Sequence, residues 1–390
     1  MLRRMVGINS YTGNPDGVNR LGRFTAESFV PLGFSSEFVP STNPDWGSHL
    51  FLNRPGGAAQ SIAMVSHLDT VFPPEEEIRN NFHWNQEGSR IYGPGTHDIK
   101  GGTVMMWLVL ATLKDHFPEV FEKTAWHLFL NSSEETLSKD FGEHCSERMD
   151  RNTLAALVFE AEGRLGSQPL LVTSRKGRAT WRITATGRGA HAGGKHRHGA
   201  NAAVQLAHTI QKVANLTDLR RDLTFNVGTI SGGGAFNRVP HEAFAEGEFR
   251  AFSPEVYSDA MNQLMALAGE GEVRSVADRF PCRLEVTILD ESRPWPRNPG
   301  SDRLFEIWRN AGERIGMEVG VEERGGLSDG NLLWDLAPTI DGLGPWGDND
   351  HCSERSADGT KEPEYVDLDS FVPKALLNVL AIVDLAQSGN

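Results

Sequence analysis

Three short apolar runs break abruptly into polar residues: "SIAMVSHLDTV" (Ser61 to Val71), "TAWHLFLNSS" (Thr124 to Ser133) and "LAALVFEAEG" (Leu154 to Gly163). Runs of this length, bounded by polar turns, read as buried strands. Helical patterns separate them. "VNRLGRFTAESFVPL" (Val18 to Leu32) has apolar residues at near-helical spacing and stops at Gly33, and "TVMMWLVLATLKDHF" follows the glycine-rich loop "GPGTHDIKGG" (Gly93 to Gly102). Strands alternating with helices predict an α/β domain with a largely parallel or mixed sheet. Such sheets place their sites at strand ends, where the polar residues of this chain collect.

The pattern changes near Ser174. "ATWRITATG" alternates like a half-exposed strand, and "GANAAVQLAHTIQKVANL" is an amphipathic helix. "LTFNVGTI" and "EAFAEGEFRAF" read as strands, "PEVYSDAMNQLMALAG" as a helix and "RLEVTILDES" as a strand. The order βαββαβ is that of a ferredoxin-like unit. After "RPWPRNPGSD" the first pattern returns from Leu304. The expected architecture is one α/β domain (1–173 and 290–390) interrupted by an inserted domain (174–289), within reach of a 390-residue chain.

A net charge of −14 argues against a nucleic-acid backbone or an anionic membrane as the main partner. No apolar run is long enough to cross a bilayer. Three cysteines are too few for a disulfide framework, and the first residues lack the apolar stretch of a signal peptide, so a cytoplasmic location is expected. "GPGTHDIKGG" has neither the Walker nor the dinucleotide-binding spacing, and an acidic residue sits within it.

The chemistry-bearing residues follow the strands. Glu134 and Glu135 are adjacent in "HLFLNSSEETLS"; on extended chain they would point to opposite faces and have different jobs. His67 and Asp69 in "SHLDT" would share a face, with Asp69 placed to hold the imidazole of a metal-ligating histidine. Asp98 lies between glycine turns that would hold it rigidly, Gly93 and Gly95 before it and Gly101 and Gly102 after. Glu160 and Glu162 both follow "LAALVF", and either could be a ligand. His351 in "DGLGPWGDNDHCSE" competes with His144, because "HCSER" occurs twice. Two histidines with several carboxylates form a donor mixture suited to zinc, cobalt or manganese, whereas three cysteines exclude a four-cysteine structural site.

"SHLDTV", "GPGTHDIKGG", "NSSEET", "VFEAEG", "GRGAHAG" and "GLGPWGDNDH" occur in the order and approximate spacing of the two-zinc metallopeptidase family. That family includes glutamate carboxypeptidase, aminoacylase, peptidase T and succinyl-diaminopimelate desuccinylase, and the chain resembles it over nearly its whole length. The resemblance implies a zinc-peptidase-like catalytic domain with a mixed central sheet and an inserted lid that dimerises. It implies two divalent ions, most simply Zn2+, with Co2+ or Mn2+ as alternatives. Asp98 would bridge them, His67 and Glu160 completing one shell and Glu135 and His351 the other. Glu134 would be the general base acting on a water held between the metals, and Asp69 and His191 would assist, His191 at the oxyanion of a partner's site. Asn237, Arg250 and Gly326 match substrate-binding positions.

The implied reaction is hydrolysis of an amide bond next to a free carboxylate, in a small peptide or N-acyl amino acid. A di- or tripeptide aminopeptidase is the alternative, and an inactive metal-binding scaffold a third reading. One departure stands out: the family's "EYV" follows its last histidine closely, but here "EYVD" begins only at Glu364, after "CSERSADGTKEP".

Overall fold

Strand Ser61–His67 is buried at every residue, and its alternating side chains enter two different cores. Ile62 and Met64 join Leu50, Leu52, Leu128, Leu130 and Leu157 in one cluster, while Ala63 and Val65 join Phe51, Phe129, Ala156 and Val158 in the other. A sheet apolar on both faces needs cover on both, and here helices supply it. Helices Gly101–His116, Pro299–Arg314 and Phe371–Ser388 contribute to the first cluster, and Lys139–Arg148 to the second.

The computed structural model describes residues 1–136 and 138–388. These divide into two units, one comprising Met1–Thr173, Arg297–Glu323 and Ser328–Asn390, the other Ser174–Pro296 and Arg324–Leu327. The sheet of the first unit runs in the order 35–40, 48–54, 125–131, 61–67, 153–158, 339–340. Its first two pairings are antiparallel and the remaining three parallel, so the sheet is mixed. The opening helix is Pro15–Phe29, earlier than its apolar spacing predicts. Asn14 caps it by accepting the Gly17 N–H, and Pro15 pre-sets its first turn.

In the second unit, strand Gly177–Thr186 buries Ala179, Trp181, Ile183 and Ala185 on one face. The sheet order is 224–232, 242–251, 177–186, 281–292, 269–274, every pairing antiparallel. The first four strands and helices Ala202–Ala214 and Pro254–Met265 form the expected ferredoxin-like unit. The fifth strand, Gly269–Arg274, was not expected. Its charged "GEGEVR" has no apolar run, and it adds to the sheet as an edge, where charged side chains remain in water. No described helix is long and apolar enough to cross a membrane.

Candidate metal centre

Asp98 is the centre of a cluster of histidines and carboxylates in the first unit. Its Oδ1 lies 2.9 Å from Nε2 of His67, and its Oδ2 lies 3.2 Å from Nε2 of His351. Glu160 Oε1 is 3.7 Å from the same nitrogen of His67, and Glu135 Oε2 is 3.4 Å from that of His351. One carboxylate therefore addresses two histidines, each with its own second carboxylate. Glu162 is engaged elsewhere, by Arg164 at 2.7 Å and Lys374 at 3.0 Å. His144 lies on helix Lys139–Arg148 beside His49 and Phe51.

Local backbone explains how Asp98 is presented. Gly95 takes φ of +72°, a region that penalises a Cβ, and a Cβ on Gly102 would lie 2.0 Å from the carbonyl oxygen of Phe159. Only glycine lets the helix after Asp98 start so close to the strand-end segment bearing Glu160. Lys100, almost fully buried, ties the loop to the carbonyls of Ile8 and Pro94, and burial lowers its pKa to about 8.

The acidic pair does not sit on extended strand. The strand ends at Asn131, and Glu134–Thr136 form a single 3-10 turn. Asp69 organises that turn: Oδ1 accepts the Glu134 N–H at 3.0 Å, and Oδ2 accepts the Glu135 N–H at 3.3 Å and the Thr12 hydroxyl at 2.7 Å. His67 Nδ1 also faces the carbonyl oxygen of Asp69 at 3.1 Å and its Oδ1 at 3.4 Å. Asp69 thus orients both the imidazole and the two glutamates. Sequence reading missed Thr12, and it missed Asn131 and Asp329. Asn131 accepts from Ser133 N–H and the Ser138 hydroxyl and donates to Asp329 at 2.7 Å, which shapes the turn from behind. Burial lifts the Asp329 pKa to about 7.

The donor set suits a cation. With its Nδ1 proton given to Asp69, His67 turns the lone pair of Nε2 toward Asp98, an acceptor facing an acceptor unless something positive lies between. Zinc with donors at about 2.0–2.2 Å in a tetrahedron separates neighbouring donors by roughly 3.3–3.6 Å, close to the spacings here. Oε1 of Glu135 is buried with no hydrogen-bond partner. Candidate donors of His67, Asp98 and Glu135 all lie within 4.8 Å of one another.

Without a cation the histidines must take that part. Burial works against a charged His67, but hydrogen bonds with Asp69 and Asp98 outweigh it and raise its pKa well above the ordinary value. Hydrogen bonds to Asp98 and Glu135 push His351 up to about 11. Asp98 is opposed by burial yet held well below the carboxylate range by His351 and His67. Burial, with Asp98 nearby, lifts Glu135 to about 7, and burial also raises Glu134 strongly.

A pH dependence follows. Between 4.5 and about 7 the folded, metal-free chain holds a proton on Glu135 that the unfolded chain has lost, so stability falls as pH rises. His351 acts in the same direction, its contribution being complete below 6.5 and lost as pH rises toward 11. A bound cation replaces these protons. The rise in melting temperature on adding zinc should therefore be larger near pH 8 than near pH 5.5, measured by thermal unfolding with and without chelator. An equal rise at both would contradict these protonation states.

In the second unit, His191 Nδ1 accepts the N–H groups of Gly193 and Gly194 at 3.2 and 3.0 Å. In the neutral ring the proton is then on Nε2, which is left as a donor. Asn237 is exposed, and its carbonyl accepts the Ala192 N–H at 2.7 Å, tying its loop to that of His191. Arg250 pairs with Glu248 at 2.8 and 3.2 Å and donates to the Gly325 carbonyl at 2.8 Å. Gly326 is tied down through its carbonyl by Arg175 at 3.2 Å.

Known proteins resemble this chain in sequence and in fold. Residues 173–275 match the model of a peptidase dimerisation domain. Carboxypeptidase G2 of Pseudomonas sp. (strain RS-16) is 26% identical over 387 residues, covering 98% of this chain and 88% of that enzyme. Over nearly its whole length the chain is similar to a carboxypeptidase, and the match at 173–275 is to a domain of peptidases. Acetylornithine deacetylase of Klebsiella pneumoniae (strain 342) is 25% identical over 291 residues, 72% of each chain. A tripeptidase structure from Staphylococcus aureus superposes on this chain with a TM-score of 0.77, covering 99% of this chain and 97% of that one at 20% identity. The chain is an enzyme of the hydrolase class to which these peptidases and deacetylases belong.

Proposed function

We propose that this chain is a metallopeptidase that uses two divalent cations, zinc by preference, to hydrolyse an amide bond next to a free carboxylate, as a carboxypeptidase or an N-acyl amino acid deacylase. The observation that carries the two-cation reading is Asp98, with one oxygen toward each of two histidines. His67, Asp98 and Glu160 would hold one cation, and Asp98, Glu135 and His351 the other. Paired cations would lower the pKa of a water and polarise the scissile carbonyl.

The chain's own groups do the rest. Glu134, set beside the metal donors by Asp69, accepts the attacking water's proton and delivers it to the leaving amine. Asp69 keeps the backbone N–H donors of Glu134 and Glu135 fixed and holds His67 in one tautomer. His191, with its proton on Nε2, donates a hydrogen bond to the developing oxyanion. Asn237 and Gly326 orient the substrate. Arg250 would bind its carboxylate after exchanging Glu248 for it, as a planar guanidinium can.

The first test is metal content per chain beside hydrolysis of N-acyl amino acids, C-terminal glutamyl amides and dipeptides, with and without chelator. Two metals and chelator-sensitive release of a free amino acid from a blocked substrate support the reading; no metal uptake from zinc or cobalt overturns it. One observation favours the aminopeptidase alternative: Glu248 already satisfies Arg250, leaving no preformed carboxylate site there. Turnover of dipeptides with a free amino terminus, and of no blocked substrate, would select that alternative. The compartment assigned by this reading is the cytoplasm, consistent with three free cysteines.

The assembly we propose is a homodimer in which His191 serves the partner's site, in keeping with the dimerisation-domain match. Chains bearing His191→Ala and Glu134→Ala should then complement each other. Random pairing makes half the dimers mixed, each with one competent site, so activity should recover to about a quarter of wild type. No recovery on co-expression would place His191 in its own chain's site or outside catalysis.

A further inference from the structure

The stretch between His351 and Glu364 is a loop with both ends on the metal centre. At its neck the Glu364 N–H donates to the Cys352 carbonyl at 2.8 Å, and the flanking strands Gly347–Asp348 and Tyr365–Asp367 pair antiparallel. Tyr365–Asp367 also pairs with Arg90–Tyr92, which leads into the Asp98 loop. Glu364 is fully buried, and its Oε1 accepts the N–H groups of both His97 and Asp98 at 2.8 and 3.1 Å. From the other end, Asp350 hydrogen-bonds Nδ1 of His97. The two ends of the loop therefore hold the segment that presents Asp98, Glu364 by its backbone and Asp350 through the His97 side chain.

Its outer end is fastened separately. Arg355 meets both carboxylate oxygens of Glu87 at 2.9 and 3.1 Å and lies over the Tyr92 ring. Ser353 accepts from Asn80, and Glu362 accepts from Tyr92 and Arg90. His351 needs such support. Its side chain is 54% exposed, whereas that of His67 is fully buried, and it takes φ of +62°, a conformation that a residue with a Cβ adopts only under strain.

We propose that residues 352–363 are a strut that holds His351 over Asp98. Occupancy of the cation position served by His351 and Glu135 then depends on contacts at the strut's far end, where Arg355 is the positioning residue, while Asp350 and Glu364 position the Asp98 segment at its neck. This rests on the two-cation reading above. Because Arg355 fastens the loop that continues from His351, while Glu364 holds the backbone of the shared Asp98, the two have different signatures.

The test is calorimetric titration of cobalt into the metal-stripped full-length protein, with the cobalt absorption spectrum as a second readout. Arg355→Ala should weaken one of two binding events by about 10-fold and leave the other unchanged, and Glu87→Gln should reproduce it. Glu364→Ala should weaken both, and Glu364→Gln, which keeps the accepting oxygen, should restore them. Wild type binding two cobalt ions, with Arg355→Ala either matching it at both sites or weakened equally at both, would overturn the strut alone. Wild type binding fewer than two would overturn the two-cation reading, and the strut with it.

Discussion

Glu134→Gln should retain both metals and lower kcat by about a hundred- to ten-thousand-fold, the usual contribution of a positioned general base. Glu134 is the acidic residue of the turn that approaches neither histidine among the described ion pairs; Asp69 anchors it through its backbone N–H instead. Glutamine has the same shape and leaves that backbone bond intact, so the turn and Glu135 should keep their places. What it lacks is a site that can take a proton and release it. Metal content per chain, measured with kcat on the same sample, separates the outcomes. Loss of metal in parallel with activity would make Glu134 a ligand. Retained turnover would require another base, and Asp329, raised to about 7 by burial, would be the next carboxylate to replace.

Asp98→Asn should empty both cation positions, the larger of the two effects. Losing an outer hydrogen-bond partner of a metal site costs about 10–100-fold in affinity. Asp98 is proposed as a direct ligand of both ions, so its loss should exceed that at each. Asparagine keeps the size of the side chain but removes the negative charge between two imidazoles, and it places an amide NH2 where one oxygen faced a histidine. By contrast, His351→Ala should release one metal and retain the other. Metal analysis after equilibrium dialysis distinguishes them. An Asp98→Asn protein that retained one tightly bound metal would show that the aspartate serves a single ion.

Much of the candidate site was legible because its signals are local. Alternation within "SIAMVSH" follows from the pleat of a strand, and its two faces account for the two cores. Gly95 and Gly102 stand where a Cβ would be strained or would collide, so the glycines around Asp98 marked a special backbone. Other readings failed where local pattern and fold diverge. Glu134 and Glu135 sit in a 3-10 turn, not on a strand, and the pull that shapes it comes from Asp69, 65 residues away. The edge strand Gly269–Arg274 has no apolar signature, since a charged edge needs only backbone partners.

By itself, then, the sequence determined the alternation of strands and helices, the inserted ferredoxin-like unit and the set of metal-capable side chains, because each depends on periodicity or sterics within a few residues. Tertiary structure alone decided how those side chains are used. It turned Glu160 toward His67 and gave Glu162 to Arg164 and Lys374, two choices equal in sequence. It joined Asn131 to Asp329 across 198 residues, and the backbone of His97 to Glu364 across 267. Such hydrogen bonds leave no periodic trace, since a directional contact of about 3 Å exists only once the backbone has brought distant segments together.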